Sequence, residues 1–438
     1  MKNYMSYNIM PDGTVKHENP FFDYEVWSVP GRANKPRSYG TKPTIQRVTP
    51  EHPERVCSFC ETRYLETPPE RARVVKQSGD WTIFRRLDPR EYFNTTAEFR
   101  RVGNLFELVT MDYWRKNYNY IVDNTIAAWK DTFTSSAEGR EYLRKIVSYK
   151  LEAMGRPDQY INGLSDDTIF SLADGFFGGG HEVVIARPHY RHDAEYENDL
   201  VASGDLTGEQ HFWYFKMTID GMKEIVDHNR FVRYVCAFQN WLQPAGASFD
   251  HLHKQLVGLD DWGALIGRKI ELRRNNENVF NEFGVNYALD HNLVFLENDF
   301  GVAYAGIGHR YPTVEIHSKS ENARPYEHTD EEIYGMSELV HAIHAATGSK
   351  VSANEEWYYT PVDSVETIPW HIYIIWRINV PAGFEGGTNI YINPLTPVEL
   401  RDRLVPKLFE LRDEGRISNV KIAEECDVQL NPLRYFIK

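Results

Sequence analysis

The stretch Asp250-His-Leu-His-Lys-Gln-Leu-Val-Gly258 decides how this chain is read. It follows a turn at Pro244–Ser248 and reads as a strand. In extended backbone the side chains alternate, so His251, His253 and Gln255 share one face while Leu252, Lys254 and Leu256 take the other. Two imidazoles and an amide therefore line one surface. A lone H-x-H pattern fits two satisfied core histidines as readily as a functional pair, so its neighbours must decide.

Immediately upstream, FVRYVCAFQN (Phe231–Asn240) reads as a partner strand. Before it comes a helix with Phe212, Phe215, Ile219, Met222 and Val226 at helical spacing. HEVVIARPH (His181–His189), introduced by glycines 178 to 180, reads as a further strand. The last third repeats this order. LVFLENDFGVAYAG (293–306) and YPTVEIHSKS (311–320) read as strands, a helix is expected from Asp330 to Ala346, and VETIPWHIYIIWRIN (365–379) is a strand carrying His371. Another helix is expected to start near Ser136, and a last one is marked by Thr396, Pro397 and Glu399, a capping box with proline at the first helical position. The implied class is α+β, two duplicated units, each an antiparallel sheet with helices on one face. We divide the chain into an arm (1–50), an N-terminal unit (51–280) with an insertion at about 95–178, and a C-terminal unit (281–438).

Composition narrows the functions. The 438 residues are 42% hydrophobic and 13% aromatic, enough for substantial cores. A net charge of −14 without long basic runs argues against nucleic acid as partner. With no signal-peptide core at the N-terminus and no apolar run long enough for a membrane, the expected location is cytoplasmic. Four cysteines are too few for a disulfide framework, and Cys57 and Cys60 form a C-x-x-C suited to a metal. A redox role is disfavoured because CSFC lacks a thioredoxin-like strand-to-helix setting.

Three segments converge on one family. HEVVIARPH resembles the first signature of the histidine-triad superfamily. PERVCSFCETRYLETPPE (53–70) resembles the start of the galactose-1-phosphate uridylyltransferase-like enzymes, where a cysteine knuckle precedes T-P-P-E. QNWLQPAGASFDHLHKQ matches that family's catalytic segment without a gap, at Asn240, Gly246, Ser248, His251, His253 and Gln255. The resemblance implies a structural zinc on Cys57, Cys60, His189 and His251, a ligand set zinc favours. His192 competes with His189, which is preferred. It further implies His253 as the nucleophile that accepts a nucleoside monophosphate, with Gln255 and Ser248 assisting and Asn240 binding substrate. In GFEGGTNIYIN, Phe384, Glu385 and Asn389 are candidates for sugar-phosphate contacts, with a simple turn as the alternative. The function so implied is nucleotidyl transfer between a nucleotide sugar and a sugar 1-phosphate, the cleft closed across a homodimer interface. A phosphorylase or hydrolase using the same histidine, and a catalytically idle zinc-stabilised binding protein, are the alternatives. Leu252 replaces the family's usual proline, and Asp250 and Lys254 are further departures. Because the C-terminal strand keeps only His371, no second metal site is expected. Arg85, Arg86 and Asn94 are weighed as nucleotide contacts, with a solvated surface role preferred for the arginines.

Overall fold

The computed structural model describes residues 5–30, 47–48 and 57–436. Its main sheet is built from two runs of chain. β4 (Glu70–Gln77), β5 (Asp80–Arg85), β6 (Phe99–Gly103), β7 (His181–Ala186), β8 (Tyr234–Trp241) and β9 (His253–Leu259) form one half. β10 (Val294–Glu297), β11 (Gly301–Ala305), β12 (Thr313–Ser318), β13 (Ala353–Tyr358), β14 (His371–Trp376) and β16 (Lys421–Ile422) form the other. The order is β16-β10-β11-β12-β14-β13-β8-β9-β7-β6-β4-β5. Each half thus has the same sequence of neighbours outward from the centre, β8-β9-β7-β6 in one and β13-β14-β12-β11 in the other. The halves are joined edge to edge by the antiparallel β8–β13 pair, with Asn354 opposite Asn240 and Glu356 opposite Phe238.

One face of this sheet is apolar. Leu256 in β9 and Ile372, Ile374 and Trp376 in β14 are buried there, under the helices Gly208–His228 and Asp330–Thr347. The helices meet through a hydrogen bond between His211 Nδ1 and Ser337 Oγ (2.7 Å), and Trp376 Nε1 donates to Thr347 Oγ1 (3.0 Å). Both start with capping boxes, Thr207 with Gln210 and Thr329 with Glu332. The opposite face carries His253 and Gln255 in one half and His371 and Tyr373 in the other.

Two readings change. Within the arm, residues 5–30 form regular structure: β1 (Ser6–Ile9), β2 (Val15–Glu18) and β3 (Glu25–Ser28) make a second sheet that ends on β15 (Ile390–Ile392), with Val15, Phe21 and Val26 buried. The region from about 95 opens with β6, a strand of the main sheet, before the helices between Met111 and Gly178 gather a small core around Trp129, Phe133, Tyr142 and Phe176. The helix expected near Ser136 runs Ala137–Ala153, with Ser136 accepting from Gly139 N–H. No helix of the described residues is long and apolar enough to cross a membrane.

Candidate metal and nucleophile site

β9 begins at His253, so His251 lies in the entering segment rather than in the strand. There its Nε2 donates to the Ala186 carbonyl at the end of β7 (2.7 Å), which leaves Nδ1 as the lone-pair atom. That Nδ1 faces Cys57 Sγ at 3.4 Å and His189 Nδ1 at 3.1 Å. His189 Nδ1 stands 3.5 Å from Cys57 Sγ and 3.8 Å from Cys60 Sγ, and the two sulfurs are 3.9 Å apart. A tetrahedral ion bound at metal–sulfur and metal–nitrogen distances of about 2.3 and 2.0–2.1 Å needs edges of about 3.8 Å (S–S), 3.6 Å (S–N) and 3.3 Å (N–N). The four atoms fit that figure, and all lie within 4.8 Å of one another. His189 is buried and belongs to the group, whereas His192 is exposed and lies outside it. The thiols are electrostatically unequal: the hydrogen bond from Cys57, then those of His189 and His251, pull Cys60 down, while Cys57 is pushed up.

The knuckle is held by the residues that follow it. Arg100 of β6 donates to the Phe59 carbonyl (3.2 Å), to Thr67 Oγ1 (3.1 Å) and to Glu70 (3.2 Å). Arg73 also binds Glu70, at 2.7 and 2.9 Å. The Thr and Glu of T-P-P-E therefore anchor the cysteine loop to the sheet through a buried arginine pair. Charge position in a strand signals none of this until the partner strand is known.

Two residues beyond His251, His253 is buried with Phe59 edge-on at 5.4 Å. Its Nδ1 donates to the His251 carbonyl (2.7 Å), so Nε2 carries the lone pair, and no hydrogen-bond partner for it exists among the described residues. Burial holds its pKa down at about 4, which favours the neutral ring. Gln255 projects on the same face. Leu108 N–H donates to His181 Nδ1 (3.0 Å), so His181 Nε2 carries the proton and donates to Gln255 Oε1 (3.2 Å), with the Asn104 amide Nδ2 also 3.0 Å from that nitrogen. That bond occupies the Gln255 amide oxygen and leaves its NH₂ as the donor end. His181 marked only a strand start in the sequence, and its hold on Gln255 emerges from the β7–β9 pairing.

The other expected residues scatter. Ser248 is exposed on the loop before β9 and makes no hydrogen bond among the described residues. Asn240 accepts from Asn354 Nδ2 (2.7 Å), joining the two halves. Glu385 accepts from Ala382 N–H (2.7 Å) and starts a short helix, Phe384 is exposed, and Asn389, at φ 56°, donates to the Asp23 carbonyl (2.8 Å). Asn389 lies against the start of β3, and none of the three is hydrogen-bonded or ring-stacked with His253 among the described residues. Arg85 and Arg86 pair with Glu224 of the helix Gly208–His228. Lys254, the departure from the family pattern, also points away from the site and forms a fully buried ion pair with Glu355 of β13. The substitution serves the seam between the halves.

A family profile described as "Domain of unknown function (DUF4921)" matches residues 10–435. The ADP-glucose phosphorylase of Arabidopsis thaliana is 24% identical over 233 residues, which cover 51% of this chain and 63% of that protein, less than two thirds of the relative's length. A crystal structure of an ADP-glucose phosphorylase from Arabidopsis thaliana with bound ADP-glucose aligns at TM-score 0.57 and 18% identity, over 89% of this chain and 97% of that one. The X-ray structure of a GalT-like protein from the same plant aligns at TM-score 0.55 and 16% identity, again over 89% and 97%. At such identities the structural likeness speaks for the fold. The chain belongs to the DUF4921 family and carries, as a divergent member, the fold of the galactose-1-phosphate uridylyltransferase-like proteins.

Proposed function

We propose that the protein is a nucleotidyltransferase that takes a nucleoside monophosphate from a nucleotide sugar onto His253 and passes it to a phosphate-bearing acceptor. The observation that carries this reading is the oriented imidazole: Nδ1–H bound to the His251 carbonyl at 2.7 Å, Nε2 without a partner among the described residues, and Gln255 beside it. Nε2 attacks the α-phosphorus. A P–N bond forms as the P–O bond to the departing sugar 1-phosphate breaks, and that oxygen keeps the electron pair. The His251 carbonyl supports the positive charge that the ring acquires, and the Gln255 amide donates to a non-bridging oxygen as charge builds there. In the second half an acceptor phosphate oxygen attacks the same phosphorus and the electron pair returns to Nε2.

The ligand softness of Cys57, Cys60, His189 and His251 supports zinc as the ion, structural because protein fills all four positions. Its part would be to fix the segment that delivers His253. We assign this chemistry to the unit 51–280, and cleft closure to 281–438 in a cytoplasmic homodimer. The acceptor in our first reading is a sugar 1-phosphate. A phosphorylase, with inorganic phosphate as acceptor, is the second, favoured because the curated relative and one similar structure are both ADP-glucose phosphorylases. The test is a panel of nucleotide sugars offered with glucose 1-phosphate, galactose 1-phosphate or orthophosphate. Turnover of none of them, with zinc bound, would contradict the proposal; the productive acceptor separates its two forms.

A further inference from the structure

The C-terminal half repeats the catalytic geometry and then withdraws it. His371 opens β14 as His253 opens β9, and its Nδ1 donates to the carbonyl two residues back, Pro369, at 2.8 Å. Its Nε2, however, is occupied: Lys269, from the helix Gly263–Asn275, donates to it at 2.6 Å and to Tyr373 Oη at 3.0 Å. A nucleophile is thereby excluded here. A cavity remains above it on the same sheet face, about 690 Å³ in volume.

The walls of that cavity have a definite chemistry. Arg310 is stacked between Tyr24 (4.2 Å) and Tyr391 (4.4 Å), and Arg377 lies over Tyr311 (4.6 Å). Neither arginine is paired with a carboxylate among the described residues, in a chain of net charge −14. Arg377 donates to Asn354 Oδ1 (2.9 Å), while its Nε is buried without a partner. By contrast Arg73, Arg100 and Arg101 of the N-terminal half all have buried carboxylates. Two carboxylates, Asp23 and Glu356, share the cavity with Tyr358 and Tyr373.

We propose that this cavity is a second, non-catalytic binding site for a sugar phosphate. The phosphate falls to Arg310 and Arg377, a charge-assisted contact that guanidinium forks make well. Asp23 and Glu356 accept from sugar hydroxyls, and the tyrosine rings pack on the apolar face of the sugar. The carboxylates disfavour a bare anion and so select the sugar ester. The site stands independently of the chemistry assigned to His253.

Calorimetric titration of the 438-residue protein with glucose 1-phosphate, glucose and orthophosphate tests it. Glucose 1-phosphate should bind a site that survives His253→Gly, and Arg310→Met and Arg377→Met should each weaken that site at least tenfold. Orthophosphate and glucose should bind it at least tenfold more weakly. Arg310 is exposed, so its variant should melt with wild type. Wild-type affinity in both arginine variants, loss of all binding in His253→Gly, or equal affinity for orthophosphate would overturn the proposal.

Discussion

His253 and His371 stand at corresponding points of two halves of one sheet, each with Nδ1 tied to the carbonyl two residues earlier. They differ in what surrounds that motif. In the N-terminal half the residue two back is His251, held by the Cys57–Cys60 knuckle, and the outer imidazole nitrogen is left without a partner. In the C-terminal half the residue two back is Pro369, and the outer nitrogen is filled by Lys269 and flanked by His317, stacked at 4.8 Å. Burial pushes Lys269 down to about 7 and His371 well below its usual value. One backbone device thus leaves an open lone pair in one half and a packed one in the other. What separates them is the access left to a single lone pair.

The sharpest way to break the comparison is to change each histidine. His253→Gly should lower nucleotidyl transfer on the order of 10⁴-fold with unchanged melting, since truncating a nucleophile removes the covalent route. His371→Asn should do the reverse: a lower melting temperature, because Lys269 loses its buried acceptor, with transfer retained. Equal activity losses in the two variants would make the halves equivalent and the account wrong.

Next in size is the metal. Cys57→Ser or His251→Asn should abolish stoichiometric zinc and cost several kcal/mol of stability, because binding of a structural ion is coupled to folding. Elemental analysis and thermal melts read both. His192→Ala should change neither.

The seam between the halves comes third. Lys254→Met strands Glu355, whose carboxylate, despite burial, is held far below its usual range by Lys254 and His344. Losing one partner of so buried a pair should cost roughly 3–5 kcal/mol in chemical denaturation. The double change Lys254→Met with Glu355→Leu should recover much of it; no recovery would mean that the pair is not the cause.

The smallest effect expected is at His181, a positioning residue. His181→Phe should lower kcat about tenfold with little change in KM, as a Gln255 that loses its orienting donor turns less often toward the phosphate. His181→Gln, which keeps a donor, should restore part of it. A pure KM effect would remove His181 from this role.

These contrasts also show what the sequence could carry. Local patterns were legible: the alternation that puts His253 and Gln255 on one face and the capping box at Thr396; the family resemblance added the Cys57, Cys60, His189 and His251 group, which comes together as a set that could hold a metal. The duplicated order of strands and helices was legible too. Non-local pairing was not. β6 lay inside a region taken as insertion, and β1–β3 inside an arm, because short strands declare themselves only through their partners. β13 went unread because Glu355 and Glu356 break its apolar text, although Glu355 meets Lys254 and His344 and Glu356 accepts from Tyr358 once the chain is folded. Lys254 seemed a blemish in the catalytic motif for the same reason, since Glu355 lies 101 residues away.

The central claim is that His253 Nε2 carries the nucleotide during turnover. The direct measurement is incubation of the zinc-loaded protein with an α-phosphate-labelled nucleotide sugar, followed by a denaturing quench and peptide mapping. The account predicts acid-labile, base-stable label on the peptide holding His253, absent from His253→Gly, and released when acceptor is added. Full turnover by His253→Gly without added imidazole, or label on any other residue, would contradict it.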